Sequence, residues 1–153
     1  MNSQFVKRLF AFALALVCWC AAGCGNSTNT GEDAPPPTEC QKRLIAIGKA
    51  YVGASAKNNK PPANVGELLP FLKEAGKPDE LLKSPNDGQN FEIVYGCKIL
   101  AIKETGSDVP IVAFERTGKN GERNVLRGNR ETLLMSKSEL KSGKFPDGYK
   151  FPF

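Results

Sequence analysis

Residues 84–95 read SPNDGQNFEIVY, and the pattern of the chain changes inside them. Ser84-Pro85-Asn86-Asp87-Gly88 is a cluster of turn formers. Phe91-Glu92-Ile93-Val94-Tyr95 is aromatic and β-branched and alternates as a strand does. Before this turn, apolar residues recur at helical spacing; after it, they recur at strand spacing. The chain therefore divides into a helical first part and a sheet-forming second part.

Working back from the turn, Cys40, Leu44, Ile47 and Tyr51 lie one helical step apart, with Gly48, Val52 and Ser55 beside them. Lys42, Arg43, Lys49 and Lys57 fall mostly elsewhere on the same wheel. The spacing predicts an amphipathic helix over 39–57, with Thr38 as N-cap and Glu39 in its first turn. Asn58 to Pro62 ends it. Asn64-Val65-Gly66-Glu67 has the form of a capping box ahead of Leu68, Leu69, Phe71 and Leu72. Pro70 falls inside that second helix, which predicts a short or kinked one. Gly76 and Pro78 close it, and Asp79 to Lys83 fits one further helical turn.

Working forward, Cys97 to Ile102 is a second apolar run beyond Gly96. Val109 to Phe114 predicts a strand with Pro110 at its start. Gly118-Lys119-Asn120-Gly121 is a loop, Arg123 to Arg127 a strand, Gly128-Asn129 a tight turn and Glu131 to Met135 the last strand. Short turns between consecutive strands predict an antiparallel meander. Ser136 and Glu139 are spaced to cap a short helix, and the aromatic stretch from Phe145 to Phe153 is extended. The fold class is α+β: an N-terminal amphipathic helix packed on an antiparallel sheet of about four strands.

The 153 residues suffice for one domain. The first 24 residues read differently from the rest. Lys7 and Arg8 precede an uncharged apolar run from Leu9 to Cys20, and small Ala21, Ala22 and Gly23 follow. Basic, apolar, small is the order of a secretory signal peptide. The apolar run is shorter than the roughly 20 residues that cross a bilayer. Residues 25–38 hold no Val, Ile, Leu or aromatic residue and read as a flexible tether, stiffened at Pro35-Pro36-Pro37. This gives three segments: 1–23, 24–38 and a single domain over 39–153.

Ala21-Ala22-Gly23-Cys24 resembles a bacterial lipobox, in which the cysteine thiol takes a diacylglycerol and the chain is cut just before it. The resemblance implies lipidation at Cys24, a membrane partner through that lipid, and a place in the cell envelope on the periplasmic or extracellular side. Gly25, where many inner-membrane lipoproteins carry Asp, favours the outer membrane. Plain secretion and an uncleaved anchor are the other readings of these residues. Leu44-x-x-Ile47-Gly48-x-Ala50-Tyr51, Glu67 to Leu72, the 84–88 turn and Val112-Ala113-Phe114-Glu115 together resemble the globular half of pilin-like and pseudopilin-like envelope proteins of the planctomycete type. That resemblance implies a pilin-like fold used for binding or scaffolding. A lipobox and a polar tether stand where true pilins have their assembly helix.

With the leader removed, Cys40 and Cys97 remain beside Cys24. An even pair in an oxidising compartment, one on the helix and one in the sheet it covers, suggests a disulfide worth about 4 kcal/mol in the chain-entropy model. Two buried free thiols acting as small hydrophobes are the alternative.

The sequence contains no histidine, which removes Ser-His-Asp and Cys-His systems and the commonest metal ligand. Gly118 to Gly121 lacks Walker spacing. Glu32-Asp33 and Asp79-Glu80 read as solvated charge. Asn86-Asp87-Gly88 and Asp147-Gly148 read as turns, with a small-ligand or calcium-binding module as the alternative function; a carboxylate hydrolase is a third. Net charge is +5, or +3 once Lys7 and Arg8 leave with the leader, and it is spread without a basic stripe, so nucleic acid is not expected. No catalytic, cofactor or metal residue is expected. The partners are the membrane and an envelope protein.

Overall fold

A computed structural model describes residues 35–99 and 105–153. The expected leader, Cys24 and residues 24–34 of the tether lie outside the described residues, as do residues 100–102 of the run from Cys97 to Ile102. Helix α1 spans Glu39–Asn58. Its start is fixed by a reciprocal cap: Gln41 N–H donates to Thr38 Oγ1 at 3.3 Å, and Thr38 N–H donates to Gln41 Oε1 at 2.8 Å. Glu39 and Lys57 sit at the ends where the helix dipole favours their charges. Asn59, left-handed at φ 52°, ends it.

The next segment departs from expectation for a local reason. Asn64 makes no capping bond, and Val65–Glu67 forms a 3-10 turn. Glu67 reaches back to the Ala63 N–H (3.3 Å) and Asn58 Nδ2 (3.2 Å). Pro70 then falls in the first turn of α2 (Leu69–Ala75), where its missing N–H costs nothing; the helix is short, as the proline predicts, and starts at it without a kink. The short α3 (Pro78–Leu81) follows. Arg43 Nη1 of α1 donates to the Glu80 and Lys83 carbonyls, each at 2.9 Å, and so ties α3 to the first helix.

The sheet is a four-strand antiparallel meander in the order β1-β2-β3-β4, with β1 Glu92–Ile93, β2 Ile111–Phe114, β3 Glu122–Arg127 and β4 Thr132–Ser136. The expected α+β class, with the long helix on one face of the sheet, is present. β1 is shorter than the sequence suggests. Beyond Val94, whose N–H donates to the Val112 carbonyl, the chain leaves the ladder. Gly96 N–H goes to the Pro62 carbonyl, and Cys97 N–H goes to the Tyr51 hydroxyl at 2.9 Å. A register slip between Ile111 and Ala113 bulges β2 at Val112. Helix α4 (Lys137–Lys141) begins at Ser136, with the reciprocal Ser136–Glu139 cap that the spacing predicts.

Each face of the sheet is covered differently. A Cβ on Gly48 would lie 3.1 Å from Leu126 Cδ2, so Leu126 points at α1 and the bare glycine lets the helix come close. Gly53 does the same for Phe71 of α2, at 2.6 Å. On the opposite face, Phe114 carries the aromatic tail: its ring centroid lies 6.3 Å from Phe145, 6.5 Å from Phe151 and 6.1 Å from Phe153. Phe145 stacks on Tyr149 at 4.7 Å. The tail is held in place where Ile111 N–H donates to the Lys144 carbonyl at 2.9 Å. Tyr51, Leu44, Ile47, Leu68, Leu72 and Phe114 are completely buried between these layers. No helix among the described residues is long and apolar enough to cross a membrane.

Candidate functional site

Glu115 is the one fully buried acid among the described residues. It directly follows β2, and strand alternation puts it on the face of Ala113, toward α1. Four groups donate to it. Ser84 Oγ and Asn86 Nδ2 reach Oε1 at 2.5 and 2.8 Å; Asn124 N–H and Asn124 Nδ2 both reach Oε2 at 2.8 Å. The Cys40 thiol of α1 is a further hydrogen-bond partner. One carboxylate thus joins α1, the 84–88 turn and both central strands. Burial pushes its acidity toward the neutral acid. The bonds from Ser84, Asn124 and Cys40 outweigh burial, and the carboxyl lies below its ordinary range. The group is ionised, fully partnered and enclosed.

That arrangement decides what the cluster can do. A general base needs a free lone pair facing a substrate. Both oxygens of Glu115 are occupied, and Ser84 is itself buried. Ser84 spends its hydroxyl hydrogen on Glu115 while its oxygen accepts from Asn86 N–H at 3.0 Å. The cluster is a structural node.

Asp87, in the same turn, is likewise consumed. Oδ1 accepts from Gln89 N–H at 2.9 Å, and Oδ2 accepts from Thr117 and Gly118 N–H at 3.1 Å each. Backbone donors aimed at a carboxylate oppose a cation at the same oxygens. In the calcium alternative for Asn86-Asp87-Gly88, both Asp87 oxygens already accept backbone N–H groups, and the Asn86 amide nitrogen is turned to Glu115. Gly118 is required here: φ is +72°, and a Cβ would overlap the Glu122 carbonyl. Asp147-Gly148 forms an exposed turn closed by Tyr149 N–H to the Pro146 carbonyl at 3.1 Å. Asp79 and Glu80 are exposed at the start of α3, and Glu80 pairs with Lys77 at 2.9 Å. Among the described residues, no group of three potential metal ligands converges.

The expected Cys40–Cys97 disulfide is not formed; both are buried free thiols. The reason is their level along the helix. Cys40 meets the sheet at Glu115, while Cys97 Sγ donates to the Ile111 carbonyl at 3.2 Å. Four residues of strand separate those points by about 13 Å. Along α1, Cys40 and the Tyr51 that holds Cys97 are about 16 Å apart. A disulfide needs Cα atoms within about 7 Å. Burial pushes the Cys97 thiol up to about 12. Burial also raises Cys40, and the Glu115 carboxylate raises it further. Neither forms thiolate at neutral pH. In the folded chain we expect both to resist iodoacetamide at pH 8 and to react together on unfolding in urea. A bridge would leave both unalkylated after unfolding.

The surface hollows are shallow. One of about 260 Å³ lies between Gly96–Lys98 and Lys144–Pro146, with Cys97 and Phe145 in its wall. The one cysteine in its wall, Cys97, has its thiol raised by burial. Glu115 was the residue sequence reading missed. Compared with family models, curated proteins and solved structures, the chain finds no match.

Proposed function

We propose that this protein is a lipid-anchored component of a bacterial cell envelope, whose pilin-like domain works by binding or scaffolding and not by catalysis. The observation that carries the reading is the run from Lys7 to Cys24: basic residues, an uncharged apolar stretch, small residues, then a cysteine. Two or more acyl chains on Cys24 give stable attachment where one would not. The polar stretch that follows spaces the domain from the lipid, and Gly25 favours the outer membrane. The pilin-like reading is supported by the order of elements, a capped long helix and then a meander beneath it. The non-catalytic reading is supported by Glu115, Ser84, Asn86 and Asp87, whose polar groups are spent on one another and on backbone.

The test is intact mass of the chain purified from its own host's membrane. The expected species begins at Cys24 and carries acyl chains, and a Cys24→Ala chain leaves the membrane fraction. An unacylated chain beginning near Gly23 would overturn the anchor and leave a secreted domain.

A further inference from the structure

The two edges of the sheet are protected unequally. β1 is two residues long, and its Glu92 carboxylate is held by Arg116 at 2.8 Å. β4 is five residues long, Thr132-Leu133-Leu134-Met135-Ser136, with no charge and no proline. Leu134 is 53% exposed. Soluble proteins blunt such edges with charge, proline or shortness, because unpaired strand edges recruit another strand. β4 uses none of these devices.

Its register says which backbone groups are on offer. Leu133 lies opposite Val125 and Leu134 opposite Asn124, and Arg127 N–H donates to the Glu131 carbonyl. Residues 131, 133 and 135 therefore turn their backbone groups toward β3, and Thr132, Leu134 and Ser136 turn theirs outward. Glu139 takes the Ser136 N–H at 2.7 Å. The groups of Thr132 and Leu134 form the outward ladder.

We propose that β4 is a self-association edge: two copies join antiparallel about Leu134 into one eight-stranded sheet. In that register Leu134 meets Leu134, Leu133 meets Met135 and Thr132 meets Ser136 within the strand, each unlike pair occurring twice by symmetry; just beyond its ends, Glu131 of one copy comes beside Lys137, the first residue of α4, in the other. Apolar faces apolar, hydroxyl faces hydroxyl, and carboxylate faces ammonium. Moving the centre to Met135 sets Glu131 against Glu139, and moving it to Leu133 removes the charge pairing. Within its own chain the Glu131 side chain is 54% exposed; its Oε2 accepts from Asn129 Nδ2 at 3.3 Å and lies 3.8 Å from Arg127, and Lys137 Nζ lies 4.9 Å over the Phe153 ring. Leu134 shares the α1 face with Leu126 and Thr132, so the two long helices lie on one side of the joined sheet. An edge this short gives a weak dimer, which tethering to one membrane would strengthen by raising local concentration. That reinforcement rests on the lipid anchor; the pairing does not.

The test is sedimentation of the full chain in detergent, beside the Cys24→Ala chain in buffer. A reversible dimer is expected from both. Leu134→Lys and Glu131→Lys each raise the dissociation constant about tenfold or more, by setting like charge or unpaired charge across the edge. The double reversal Glu131→Lys with Lys137→Glu restores it. Recovery in the double variant is a readout that simple misfolding would not give, and it decides the matter if Leu134→Lys fails to fold. A chain that stays monomeric at the highest attainable concentration, or a dimer indifferent to all three variants, overturns the proposal. A dimer of the Cys24→Ala chain alongside an unacylated native mass separates failure of the anchor from failure of the edge.

Discussion

Glu115→Ala is expected to destabilise the domain by about 3 kcal/mol or more, because it strands the buried donors of Ser84 and Asn124 and loses the part-buried bond from Asn86. The conservative Glu115→Gln is expected to be costly as well, since its amide NH2 would face donors. Urea unfolding of both variants beside the parent measures this. The same residue governs acid behaviour. Its folded carboxyl titrates below the ordinary range, so the stability it supplies is complete above the unfolded value of about 4.3. That stability is lost as pH falls through the folded value. The parent should therefore weaken on going from pH 5 to pH 3, and Glu115→Gln should weaken less. Equal losses in both chains would mean that the folded state does not hold this acid ionised.

Ending the chain at Lys144 is expected to have a comparable effect by a different route. The residues removed carry Phe145, Tyr149, Phe151 and Phe153, which cover Phe114 and one another. Losing one well-buried phenylalanine side chain costs about 3–5 kcal/mol, and these are partly exposed, so a total near 4 kcal/mol is reasonable. The shortened chain should melt at lower temperature and bind an apolar dye through the uncovered sheet face. Unchanged melting would mean that the tail contributes cover without stability. The single variant Phe145→Ala, which keeps the chain length, should reproduce part of the loss.

Much of the architecture is legible in the residues, and the misreadings have physical causes. α1 was readable because its apolar spacing and its Thr38 cap agree. The meander was readable because turn formers separate short β-branched runs. Pro70 predicts a short or kinked helix, and α2 is short; which of the two it would be was open because a proline inside a helix and one at its start look alike until the true first residue is known. β1 came out short because its partners after Val94 are Pro62 and Tyr51, more than thirty residues away. Cys40 was placed on the right face of α1, but Cys97, expected in the sheet, lies beyond the end of β1 and at another height, since periodicity reports angle around a helix and not which residue lies opposite. Glu115 looks like the polar end of a strand. The available signal was alternation, which puts it inward with Ala113. Its partners at 84, 86 and 124 come together only in three dimensions.

The meander also fixes an order in time. Every strand pairs with its neighbour in the chain, and the β2–β3 and β3–β4 hairpins close short loops and can form early, while the β1–β2 connection is longer. Gly48 and Leu126, by contrast, meet across almost eighty residues. Chain-entropy costs rise only about 0.6 kcal/mol per doubling of loop length, but they are met before any contact is gained. Hairpins therefore precede the docking of α1, and until it docks the Leu126 side of a nascent sheet stands open to water. Gly48, the bare spot against Leu126, is thus the place where the long-range half of the fold closes on the sheet.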